Sequence, residues 1–129
     1  MPHFPMIKAQ SLKGESLLLP KEKSCVLILS FDKLQYAQGL NWYNELSKKT
    51  DLDIYKIPVL SDRFMLMQDV LFDGIRMFFK EIENSTYPAF INRIDFFEQT
   101  QFDENNPVII KLDTDGAYHS FASPQEYKE

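Results

Sequence analysis

Residues 25–29, Cys-Val-Leu-Ile-Leu, are consecutive apolar residues held between Ser24 and Ser30, with Phe31 just beyond. A strand with one wet face alternates apolar and polar side chains, whereas a strand covered on both faces does not. Residues 24–31 therefore predict a central strand, and that strand requires other elements to cover it on two sides. The run is far shorter than the ~20 residues that span a bilayer.

The period then changes. Tyr36, Leu40, Tyr43 and Leu46, with Trp42, give one helical face over 35–48, and Asp32 or Lys33 begins the turn into it. Residues 53–60, Asp-Ile-Tyr-Lys-Ile-Pro-Val-Leu, read as a second strand broken by Pro58. Strand, helix and strand make a β-α-β unit with parallel strands. Ser61 and Asp62 suit the N-cap of the strongest helix, on which Phe64, Met67, Leu71, Ile75, Phe78 and Ile82 recur at steps of three and four. Gly74 weakens that helix and suggests a close backbone approach.

Both ends are more irregular. Residues 6–20 predict one short edge strand at most, with Gly14 in a turn and Pro20 unable to donate to a ladder. Over 88–100, Phe90, Ile94 and Phe97 favour a helix with Pro88 in its first turn, and a strand over 96–102 stays open. Residues 107–113 predict a strand, Asp115-Gly116 a hairpin turn, and residues 117–121 the returning strand. After Phe121 there is room only for a helical stub.

The 129 residues fit a single domain, 44% hydrophobic and 14% aromatic, able to bury a core without a disulfide or metal. A net charge of -5 argues against nucleic acid as a partner, since phosphate binding needs a dense basic field. One cysteine excludes an internal disulfide and suits a reducing compartment. The opening Met1-Pro2-His3-Phe4-Pro5 lacks the pattern of a signal peptide, so the expected location is the cytoplasm.

The element order strand, helix, strand, helix, extra element, strand, hairpin strand resembles the thioredoxin-like α/β fold: a central mixed sheet flanked by helices, with a C-terminal hairpin and a truncated final helix. Phe4-Pro5, the Ser11-Leu12-Lys13-Gly14-Glu15-Ser16 turn and a first central strand feeding a helix with Trp42 resemble its peroxiredoxin-type variant. Residues 53–59, Gly74-Ile75-Arg76 and residues 108–116 are similar to the mitochondrial ATP synthase assembly chaperone family and its bacterial relatives. That resemblance implies a non-catalytic binding or assembly protein whose partner is another protein, a membrane-complex subunit among the candidates. The alternative is an enzyme of atypical, single-thiol chemistry.

Thioredoxin-like enzymes place a reactive cysteine at the N-terminus of the helix after the first central strand, where partial positive charge favours thiolate. Here residues 32–39, Asp-Lys-Leu-Gln-Tyr-Ala-Gln-Gly, contain neither Cys nor Ser. Cys25 sits in the apolar strand and reads as a core thiol. The resemblance places a cis-proline beside the active site at Pro107. Asn106-Pro107 is therefore cis or trans with equal weight, and with Arg76 it forms the candidate binding edge for an extended peptide. Arg76 otherwise reads as half of an ion pair, with Asp69 and Asp73 as helical neighbours. Asp113-Thr114-Asp115-Gly116 lacks the later ligands of a calcium loop and reads as a turn. His119, on a strand face with Ala117 and Phe121, is expected to be partly buried. Phe72, Phe78, Phe79, Phe96 and Phe97 read as core. No catalytic residue, metal site or cofactor is assigned. The short C-terminus predicts one incompletely covered sheet face, hence a homodimer or a patch kept for a partner.

Overall fold

The computed structural model describes residues 3–78 and 85–129, with side chains at all of these except 76–78. Cys25–Ser30 forms β3, and every one of its residues is buried. It pairs in parallel with β4 (Asp53–Ser61) on one side and antiparallel with β6 (Val108–Leu112) on the other. β5 (Ala89–Ile91) extends the sheet beyond β4 and β7 (Tyr118–Phe121) beyond β6, giving the order β5-β4-β3-β6-β7. The unbroken apolar run thus occupies the middle of a mixed five-stranded sheet, as its sequence requires.

Alternate residues of β3 feed two cores. Val26 and Ile28 pack with Trp42 and Leu46 of α1 (Lys33–Ser47) and with Ile54, Ile109 and Tyr127. Gly39 lets α1 lie close to the sheet, because a Cβ there would come within 3.3 Å of Ile28. On the opposite face, Cys25, Leu27 and Leu29 pack with Phe4, Ile7, Leu17, Leu19 and Phe96.

That second face corrects three expectations. Residues 6–20 form two strands, β1 (Ile7–Gln10) and β2 (Ser16–Leu19), paired antiparallel. Their turn is held by Ser11 Oγ, which accepts from the N–H groups of Lys13 and Glu15, and by Gly14 at φ +92°. Residues 88–100 divide into β5 and a later helix, α3 (Arg93–Thr100), whose cap Asn92 accepts from Asp95 N–H. The expectation of an incompletely covered sheet face is corrected as well: this hairpin and α3 cover one face of β3, and α1 with Tyr127 covers the other. Adjacent Phe96 and Phe97 both find partners: Phe96 in the core, Phe97 edge-on to Phe31 at 4.8 Å. The C-terminal stub is a 3₁₀ turn, Pro124–Glu126, followed by the buried Tyr127.

Other expectations shift. Pro58 does not break β4. It stands at the last rung shared with β3, opposite Ser30, one residue before β4 pairs with β5. His119 is exposed, because β7 is an edge strand. The Asp115-Gly116 turn forms as expected, with Gly116 at φ +92° and Asp115 Oδ1 accepting from Ala117 N–H. The strong helix begins late: Ser61 caps a 3₁₀ segment, Asp62–Met67, and α2 runs over Gln68–Phe78. Phe64 and Met67 are exposed, Leu71 is half-buried, and among the described side chains of α2 the buried one is Phe72, stacked on Phe90 at 6.2 Å. Gly74 makes no close approach, since nothing lies within 4 Å of a Cβ built there. Phe78 and Phe79 fall outside the described side chains.

Two stability measurements follow from this packing. Phe72→Ala is expected to cost about 3 kcal/mol or more, while Gly74→Ala raises stability by up to about 1 kcal/mol; denaturant titration reads both. Lys56 is buried on the α1 face of β4, its ammonium 4.8 Å from the Tyr43 ring centre, and desolvation lowers its pKa to about 8. Below that pH the folded state holds a desolvated charge. From about pH 8 to the ordinary lysine range the unfolded chain binds the extra proton, so this site gains stability as pH rises. Lys56→Met should be more stable than the wild type at pH 7 by about 1–3 kcal/mol, an advantage that shrinks as pH rises through that window. A pH-independent difference contradicts a desolvated amine.

Candidate functional site

An apolar cleft lies at the C-terminal ends of β3 and β4, with a cavity volume of about 290 Å³. The strand side supplies Ser30, Phe31, Pro58, Val59 and Leu60, and the start of α1 supplies Asp32, Lys33 and Tyr36. The helix side is Val70, Leu71, Gly74 and Ile75 of α2. The carboxyl ends of parallel strands are where open α/β sheets most often hold ligands. Tyr36 is fixed there by a 2.9 Å hydrogen bond between its hydroxyl and Thr86 Oγ1, and burial pushes its phenol up to about 12.

The same loop shows how this chain treats the helix end that would favour a thiolate. Asp32 caps α1, its Oδ1 accepting from Gln35 N–H at 2.8 Å. The buried Gln35 turns back: its Oε1 accepts from Phe31 N–H at 2.8 Å, and its Nε2 donates to Glu104 O at 2.7 Å. A carboxylate and an amide thus occupy donors at the helix start, and negative charge beside them opposes thiolate formation.

Cys25 lies at the other end of β3, five strand residues and about 16 Å from Ser30. It is 1% exposed, and desolvation pushes its thiol up to about 11. Among the described residues no cluster of three or more His, Cys, Asp or Glu could hold a metal ion. Asp113 and Asp115 are engaged within the hairpin region, Asp113 Oδ1 accepting from Ser24 Oγ at 3.4 Å and Asp115 as described.

Of the three residues assigned to a binding edge, Asn106 and Pro107 do not line this cleft. Asn106 and Pro107 line a different depression with Gln38, Trp42 and Val108, on the β6 side of β3. The Asn106–Pro107 bond is trans; the cis bond among the described residues is Leu19–Pro20. Arg76 follows Ile75 on α2, and its side chain and ion pair lie outside the described residues.

Sequence reasoning missed the cleft because it assigned Phe64, Met67, Leu71 and Ile75 to a buried stripe. A signal was present. Residues 64–67 are all apolar, followed by Val70, Leu71 and Phe72, more than one stripe can bury. Phe64, Met65, Leu66, Met67 and Val70 are in fact exposed, Leu66 fully.

No family model matches this chain. No curated protein matches it either. Solved structures do match. The exposed lipoprotein thioredoxin Etrx1 of Streptococcus pneumoniae aligns with a TM-score of 0.62 at 11% identity, over 97% of this chain and 92% of that one. Yeast Sco1 aligns with a TM-score of 0.61 at 11% identity, over 96% and 88%. A DsbF homologue from Corynebacterium diphtheriae aligns with a TM-score of 0.59 at 16% identity, over 98% and 79%. At such identities the agreement is one of architecture, and the peroxiredoxin-type and ATP synthase chaperone resemblances rest on the sequence motifs alone. The element order, the mixed sheet and these alignments together place the chain in the thioredoxin-like fold.

Proposed function

We propose that this chain is a non-catalytic thioredoxin-like protein that binds another protein, as an assembly factor does, through the cleft between β4 and α2. The observation that carries the reading is the separation along β3: the cleft is at one end, and the buried thiol at the other. A redox role for Cys25 would need a thiolate reachable by substrate, and desolvation opposes both.

Assembly is supported by two resemblances. One is the set of motifs similar to the ATP synthase assembly chaperone family. The other is structural: BsSco, a member of the Sco family of cytochrome c oxidase assembly proteins, aligns with a TM-score of 0.58 at 11% identity. No described helix is long and apolar enough to cross a membrane. A reducing compartment such as the cytoplasm suits a lone, buried thiol.

Thiol reactivity tests the reading against a single-thiol enzyme. Native Cys25 should react with iodoacetamide at pH 7.5 about a hundredfold or more slowly than the denatured chain, from thiolate suppression and burial together. Fast native labelling would sink the non-redox reading.

A further inference from the structure

We infer that the depression beside Trp42 receives a proline-rich segment of a partner protein, extended as a polyproline II helix whose carbonyl oxygens accept from side-chain N–H groups. This site is separate from the cleft between β4 and α2 and stands without it. The depression has a volume of about 450 Å³, and its walls include Trp42, Phe102, Pro107 and Val108. Trp42 is 8% exposed, and its indole N–H bonds to no described residue. Among the described residues no fully buried side-chain nitrogen or oxygen lacks a partner, so this N–H reaches the surface, where Trp42 lines the depression. Gln38, one turn earlier on α1, lines it too, and its exposed amide bonds to no described residue. Asn106 donates one amide N–H to Asp103 Oδ2 at 2.9 Å and keeps the second.

Three unspent donors around one aromatic-walled depression call for a ligand rich in acceptors. Asp103 is the charged residue of the lining, and it disfavours a carboxylate in that role, which leaves neutral carbonyls. Backbone carbonyls are available in only some chain conformations. An α-helix spends them on its own N–H groups. A β-strand has no edge to join here, because Val108 opens β6, and β6 is paired with β3 on one side and β7 on the other. A polyproline II segment has no internal hydrogen bonds, so its carbonyls stay open to donors. Its rings pack on aromatic grooves, a role that Trp42 and Phe102 fit. Its backbone is also stiff before it binds, so little freedom is lost on docking to side chains held by α1 and the start of β6.

The test uses the whole chain and fluorescein-labelled twelve-residue peptides read by anisotropy. One peptide repeats Pro-Pro-Ala, one repeats Gly-Ser, and one is an amphipathic helix of Leu and Lys. Trp42 is the one tryptophan, so the indole N–H cross-peak in a proton–nitrogen correlation spectrum reports on this site alone. The proteins are the wild type, Gln38→Ala, Trp42→Phe and, as a control in the cleft, Gly74→Leu. Thermal melting first checks that each variant folds. Should Trp42→Phe fail that check, the exposed Gln38→Ala and the wild-type indole signal decide.

The Pro-Pro-Ala peptide should bind the wild type at least about fivefold more tightly than the other two and move the indole proton downfield, as a new hydrogen bond does. Gln38→Ala and Trp42→Phe should each weaken it about threefold or more, the loss of one hydrogen bond. Gly74→Leu should leave it unchanged. No binding of the Pro-Pro-Ala peptide, equal binding of the Gly-Ser peptide, or binding that leaves the indole signal in place would each overturn the inference, and none of them touches the cleft reading. Binding abolished by Gly74→Leu and indifferent to Gln38→Ala would also overturn it, by assigning the peptide to the cleft.

Discussion

Burial of β3 on both faces is the constraint from which the remaining architecture follows. Val26, Leu27 and Leu29 are fully buried, and Cys25 and Ile28 are 1% exposed. At roughly 1.5–3 kcal/mol for each large aliphatic side chain, this strand is among the strongest apolar contributions in the chain. It can be realised only if one layer covers Val26 and Ile28 and another covers Leu27 and Leu29. α1 supplies the first layer, and the β1–β2 hairpin with α3 supplies the second. Tyr127, after the short 3₁₀ turn Pro124–Glu126, joins the α1 core.

The same constraint decides the fate of the thiol. Cys25 begins the buried strand opposite Asp53 of β4 and Leu112 of β6, so its sulfur is taken out of water by the act of building the sheet. At the far end of the strand, the loop into α1 is closed by Asp32 and Gln35 instead of carrying a nucleophile. What this end retains is shape: a carbon-lined cleft that α2 roofs without filling, because Gly74 has no side chain there. Among the described residues, α2 is held by Phe72 on Phe90 and by the hydrogen bond from Gln68 Nε2 to Gln10 Oε1 at 3.1 Å.

Legibility of the fold tracks how far each element depends on its own pattern. β3, α1 and the β6–β7 hairpin were readable because an unbroken apolar run, a single helical stripe with an Asp cap, and an Asp-Gly turn each fix their own conformation. The β1–β2 hairpin was not. Its four-residue strands are stabilised by packing Ile7, Leu17 and Leu19 on a sheet formed elsewhere in the sequence. β5 is three residues long and gains its pairing from β4, so helical spacing in Phe90 and Ile94 outweighed it in the sequence. The candidate cleft was hidden for the opposite reason: periodicity reports which residues are apolar, and it cannot report that a partner is missing. Leu71 and Ile75 look the same in sequence whether they meet a core or a cavity.

The central claim is that the cleft, and not the thiol, carries the protein's interactions. It is tested most directly in living cells by photo-crosslinking from p-benzoylphenylalanine at Val70, compared between the otherwise native chain, Cys25→Ala and Gly74→Leu at equal abundance. The account predicts a discrete cross-linked partner that persists in Cys25→Ala and disappears in Gly74→Leu. A partner lost in Cys25→Ala and retained in Gly74→Leu would contradict it.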